Sequence, residues 1–307
     1  MAMDFLTKIA VGLRQVVSVA CYNFRQWSRN PRVIITFFLA FILCFLLTDK
    51  AVRFAQEHGT VMQVMEPFIW TFGDSNSILL TSLLLILLFA DMPFLSPGTP
   101  FFLMRINRRI WMLGQMLYAA AATCIYMVFI LLSTGMVCMT NAYPGNVWSR
   151  TAAILGYSGE GDKIALPAFV KTLEMSKPFK CTATIFLLML LYTLAMVFLM
   201  LFFNIWKGQA AGVVSVFAFT VFGFLLNPEN LVSIFQLPQE LAYKARVWVG
   251  WISPLNHATY HMHNFGYDRL PRLWQSCAIF AAFFAVLSML SLLAIRRYSF
   301  QFRGTET

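Results

Sequence analysis

Residues Cys181 to Trp206 read CTATIFLLMLLYTLAMVFLMLFFNIW, twenty-six positions without one charged side chain. At a rise of about 1.5 Å per residue, this run forms a helix of roughly 39 Å, longer than the roughly 30 Å hydrocarbon core of a bilayer. A helix apolar on every side has no face for water, so lipid or other apolar helices must surround it. Five more uncharged runs lie outward from it: Val33 to Thr48, Ser75 to Ala90, Ile110 to Ser149, Gly208 to Pro228, and Leu273 to Ile295.

The whole composition agrees with these runs. Of 307 residues, 59% are hydrophobic and 12% charged, with 31 Phe and 17 Met and a mean hydropathy of +0.69. Too few charges are present to clothe a soluble domain of this size, which makes the bilayer the expected solvent. An attached catalytic domain is excluded on length, since the longest polar stretch between apolar runs is only about 46 residues.

The expected fold class is an all-α polytopic membrane protein with six transmembrane helices preceded by an amphipathic interfacial helix. The spans run at about 33–51, 75–94, 110–139, 181–203, 208–227 and 273–295, with outer loops 141–180 and 228–272. The two 16-residue runs borrow a turn from flanking polar residues that snorkel to the interface. The run Ile110 to Ser149 is long enough for two short helices around Ser133-Thr134-Gly135. One long helix is the simpler reading, because Asn141 to Arg150 carries turn residues and an interfacial Trp. With six spans and the N-terminus inside, 12 of the 23 Lys and Arg fall on short cytoplasmic segments, and the other 11 spread over nearly twice the length outside. This satisfies the positive-inside rule and places both termini in the cytoplasm of a cell-membrane protein. The net charge of +10 then belongs to membrane orientation and anionic lipid, not to nucleic acid. The six cysteines sit in or beside apolar runs without a CxxC pair and read as packing residues. No cleavable signal peptide is expected.

Ahead of the first span, segment 1–32 carries Phe5, Ile9, Leu13, Val16, Val17, Ala20 and Phe24 at three- and four-residue steps. That spacing predicts an amphipathic helix lying in the inner headgroup plane, or else packed against other spans, before Asn30-Pro31 turns the chain into the bilayer. The transmembrane domain occupies 33–307.

Between the second and third spans stands DMPFLSPGTPFFLMRINRRIWMLGQMLY, Asp91 to Tyr118. Pro93, Pro97 and Pro100 stop the second span, Gly98 permits a tight turn, and Thr99 can cap a stubby helix that carries Phe101, Phe102 and Met104 and is trailed by Arg105, Arg108 and Arg109. This loop resembles that of the permease subunits of ABC exporters of the type 2 family. There an acidic residue, a Gly-Thr pair, a short apolar stretch, a basic turn and a Leu-Gly-Gln or Leu-Gly-Lys helix start follow one another. Asp91, Gly98-Thr99, Phe101 to Met104, Asn107 to Arg109 and Leu113-Gly114-Gln115 occupy those places. The N-terminal helix ending at Asn30-Pro31, the six spans and Ser253-Pro254-Leu255-Asn256 extend the resemblance over most of the chain. Two departures stand out. Ser96-Pro97 replaces the acidic residue usual beside the Gly-Thr pair, and the loop after the third span is longer than in simple members.

The resemblance implies a transport subunit without its motor. The chain has no GxxxxGK[ST] loop, so ATP and Mg belong to separate ABC ATPase subunits, and this chain is neither an enzyme nor a cofactor binder. It implies a homodimer, or a heterodimer with a second permease, exporting a hydrophobic or amphipathic substrate. Gly98, Thr99, Phe101, Phe102, Arg105, Arg108 and Arg109 would form the coupling loop that enters a groove of the ATPase. The plain alternative is that the arginines only obey the positive-inside rule. A polytopic scaffold or immunity protein and an ion-coupled secondary transporter are the competing functions, the latter disfavoured because Asp91 sits near the inner end of its span.

Other patterns are weaker. Gly208 and Gly212 make a small-xxx-small face for close helix packing. His257, His261 and His263 in HATYHMH lack the Glu of HExxH and are expected in an outer interfacial loop, not at a metal. Gly156-Tyr157-Ser158-Gly159 lies in a polar loop, where a serine nucleophile has no buried site.

Overall fold

The computed structural model describes residues 2–95, 98–164, 166, 168–226, 232–233, 236, 238 and 242–298. The Ser96-Pro97 departure and Thr305 lie outside the described residues. The described residues are built into helices, with one two-residue parallel pairing among them, β1 (Met62–Gln63) with β2 (Ala142–Tyr143).

Among the described residues, four helices are long and apolar enough to cross a membrane: α2 (Pro31–Glu57), α7 (Arg108–Cys138, continued by a 3-10 turn to Asn141), α11 (Pro178–Lys207) and α15 (Leu273–Ala294). A fifth crossing exists if α3 (Glu66–Phe72) and the segment formed by α4 (Ser75–Leu83) and α5 (Leu85–Phe89) count together, although an 87° bend separates them. The sixth expected span is α12 (Gln209–Leu225), whose 17 residues rise only about 26 Å. Two of the six expected spans thus are not single helices of spanning length. The break before α4 has a local cause. Asp74 accepts a hydrogen bond from Asn76 N at 3.1 Å and so starts a new helix just after Gly73 closes the old one. The long run after Ile110 forms one helix, as its turn-rich end implied.

Two of the long helices start at a side-chain cap. Asn30 accepts from Arg32 N ahead of α2, with Pro31 at the first position, and Asn107 accepts from Arg109 N ahead of α7. Helix α11 is the centre of the bundle, packed against α12, α15 and α7. The core along it includes Tyr192, Met196, Phe198 and Leu201. By contrast α2 and α15 bury 28% and 17% of their apolar windows, leaving Ile34, Phe38, Leu46, Val286 and Met289 on the outside.

The N-terminal helix α1 (Ala2–Arg25) docks along α7. Gly114 makes this possible. A Cβ there would stand 2.6 Å from Val19 Cβ and 3.0 Å from the Val16 carbonyl. Asn23 then donates to Gln115 across a buried contact of 2.9 Å, and Trp27 Nε1 donates to the Tyr118 hydroxyl at 2.7 Å. One face of α1 packs on a span, while Val11, Leu13 and Val17 remain exposed.

At the opposite end of the bundle, α8 (Arg150–Tyr157), α9 (Glu160–Lys163) and α10 (Val170–Met175) fill the stretch between α7 and α11. Buried Glu66 ties them down: its carboxylate accepts from Ser149 N at 2.7 Å, Ser149 Oγ at 2.5 Å and Gln63 N at 3.2 Å. Here α13 (Ala242–Ile252) and α14 (Pro254–Ala258) also precede the last span.

Candidate functional site, the segment between α5 and α7

The chain leaves α5 through Asp91 and re-enters the bundle at α7, and between them stands α6 (Thr99–Arg105). Its cap residue is Gly98, not Thr99, and no side-chain cap bond is made. Thr99 is instead buried as the first helical residue. Gly98 is needed for close approach, because a Cβ on it would lie 2.4 Å from the Tyr22 hydroxyl oxygen of α1. Phe102 meets the same ring edge-on at 5.1 Å. The short helix is thus pinned to α1, which is pinned to α7.

The two phenylalanines differ in consequence. Phe102 is half-buried against α1, whereas Phe101 is 69% exposed and Met104 82% exposed. Arg105, Arg108 and Arg109 are all exposed, and Arg108 donates to the Tyr298 carbonyl beyond the last span at 3.3 Å. The face of α6 turned away from the bundle is therefore apolar at its centre with cations at its trailing edge.

Behind α6 the helix ends are cross-tied by polar side chains. Asp91 pairs with Arg32 at the start of α2 and accepts from Gln209 Nε2 at the start of α12. Asn204 Nδ2 on α11 donates to the carbonyls of Ala90 at 3.0 Å and Met92 at 2.7 Å, capping the frayed end of α5. The sequence pointed to Asp91 but not to its partners, which come from positions 59 and 118 residues away.

Gly208 and Gly212 serve this same region in different ways. Gly208, at φ +94°, makes the turn between α11 and α12. Gly212 lies on Asn204, where a Cβ would fall inside the amide, so its close contact is with α11 of its own chain.

The histidines lie at the far end and are buried more deeply than an interfacial loop implies. Ser276 Oγ on α15 sits 2.8 Å from both His257 Nδ1 and His263 Nε2, while the other ring nitrogens face the Trp251 carbonyl at 3.0 Å and the Thr259 carbonyl at 2.9 Å. No group of three or more metal-ligating side chains occurs among the described residues. Burial pushes the His263 pKa down to about 4 and that of His261 to about 3. Ser158 donates to the Ile154 carbonyl at 2.6 Å, as a helix-end hydroxyl does. No family model, curated protein or solved structure matches this chain.

Proposed function

We propose that this chain is the permease subunit of an ATP-driven exporter similar to the type 2 ABC family, with six spans, both termini in the cytoplasm and an N-terminal helix at the inner interface. The bent α3–α5 segment is its second span and α12 its fifth. Two such permease units, identical or paired with a similar one, enclose the path for a hydrophobic or amphipathic substrate, and separate ATPase subunits supply the work.

One observation carries this reading: α6 presents Phe101 and Met104 to the exterior on a helix otherwise held rigidly through Tyr22 and α7. Large apolar side chains at an exposed helix centre, ringed by arginines, are suited to a partner's groove. The Asp91 and Asn204 ties join the end of α5, just ahead of α6, to α2, α11 and α12, so a push carried through this segment reaches all three helices together. Ion-coupled transport gains no support from Asp91, because Arg32 and Gln209 already hold its carboxylate.

The test is purification of the full-length chain from its native membrane in mild detergent. A subunit with a phosphate-binding loop and ATP hydrolysis should accompany it. Transport by a preparation lacking any ATPase would refute the proposal. Orientation is tested by cysteines introduced at Ser158 and Thr305 in a cysteine-free background. An impermeant reagent on intact cells should label only the first.

A further inference from the structure

At the end of the bundle away from α6 lies a cavity of about 950 Å³, between the start of α4, the end of α12 and helices α13 and α14. No part of the transport reading uses it. It is large enough for a small amphiphile, since ligand pockets run at about 300–1,000 Å³. Its walls divide by chemistry. Phe224, Leu226, Leu255 and Met262 make an apolar side, and Arg246, Asn256 and His261 bring polar atoms to the other.

Among the described residues, two of these side chains leave a polar atom without a partner. Asn256 Nδ2 and His261 Nδ1 are buried with no hydrogen bond. The His261 ring stacks on Phe169 at 3.6 Å and donates to the Gly73 carbonyl. With Nδ1 unpartnered, that donor is Nε2, so Nδ1 of the neutral ring holds an unused lone pair. Arg246 is close enough to act electrostatically on this ring, and among the described residues no carboxylate pairs with it. Asp74, also in the wall, is occupied in capping α4. The unmet needs are therefore an anion for Arg246 and Asn256, and beside it a donor for His261. Exposed Trp248, Trp251 and Tyr243 on α13 mark the depth as that of lipid headgroups.

We propose that this cavity binds a phosphate ester that carries its own hydrogen-bond donor, as a glycerol or ethanolamine phosphodiester headgroup does. The phosphate lies on the Arg246 guanidinium and the Asn256 amide, the hydroxyl or ammonium donates to His261 Nδ1, and the attached apolar part lies along Leu226 and Met262. A choline head offers the phosphate but no N–H or O–H, which leaves the His261 nitrogen buried and unpaired.

The experiment titrates the delipidated full-length chain in detergent with dihexanoyl phosphatidylglycerol, phosphatidylethanolamine and phosphatidylcholine, and with glycerol 3-phosphate. The first two should bind at least about fivefold more tightly than the choline lipid. Arg246→Gln, a change at an exposed position, should weaken phosphatidylglycerol about tenfold or more, the expected loss for a charge-assisted hydrogen bond. His261→Phe, which keeps the stack on Phe169, should erase the preference over choline. Binding of glycerol 3-phosphate as tight as that of phosphatidylglycerol identifies a soluble ester as the ligand, and binding of the lipids alone identifies the membrane. Equal affinity for all three lipids, unchanged in Arg246→Gln, or no binding by any probe overturns the proposal. If His261→Phe fails to fold, the Arg246→Gln titration decides alone.

Discussion

Removing the exposed apolar side chains of α6 should weaken the docking of a motor subunit and leave the bundle intact. The two phenylalanines must be separated for this, since Phe102 holds α6 to Tyr22 and its loss would loosen the loop itself. The informative variant is Phe101→Ala with Met104→Ala. Full burial of a Phe or Met side chain contributes about 1.5–3 kcal/mol. With 69% and 82% of these side chains still uncovered, a groove that enclosed both would gain about 2–4 kcal/mol. Ordering costs reduce that, so a net loss of about 1.4–2.8 kcal/mol, or ten- to hundredfold in affinity, is expected. The assay measures the ATPase retained per chain after detergent purification and the export rate in proteoliposomes, with circular dichroism and size exclusion as checks on folding. Arg105→Glu should act in the same direction, and it is a cleaner test than Arg108→Glu because Arg108 already donates to Tyr298. If the double alanine variant folds, keeps its ATPase and exports at the wild-type rate, α6 is not the coupling element and its arginines only set orientation.

Three further outcomes follow from the packing. Gly114→Leu places a side chain where Val19 stands 2.6 Å from the Cβ position, so α1 should lift from α7 at a cost of about 1–3 kcal/mol, seen as faster tryptic cleavage at Arg14 and Arg25. Glu66→Gln turns an acceptor of three hydrogen bonds into a group that faces a buried N–H with an N–H of its own. It should destabilise the end opposite α6 by about 1–3 kcal/mol, measured as a lower unfolding midpoint in detergent and faster amide exchange around Ser149. His263 has its folded pKa near 4, below its ordinary 6.5, so the fold favours the neutral ring. Its contribution is complete above about pH 6.5 and is lost as pH falls towards 4, on the order of 3 kcal/mol, and His263→Gln should flatten the stability profile across that window.

The sequence by itself determined the class of fold, because uncharged runs longer than a bilayer's core leave an apolar helix no aqueous alternative. It also determined where helices start, since Asn30, Asp74 and Asn107 cap with their own side chains over two residues, an interaction local enough to read in one dimension. It marked Gly98 and Asp91 as unusual without saying what they meet.

Only the tertiary structure decided the rest. The cap at Asp74 marks where a helix starts but does not announce the 87° angle at which α3 meets α4. Nothing in FFLM distinguishes Phe102, covered by Tyr22 from eighty residues earlier, from Phe101, which stays 69% exposed. The histidines read as an interfacial cluster until Ser276 is brought between two of them. The cavity gathers Asp74, Phe169, Arg246 and His261 from four separated segments. Caps and apolar runs are properties of neighbours in the chain. Burial, pairing and unmet hydrogen bonds are properties of neighbours in space, which exist only once the helices have packed.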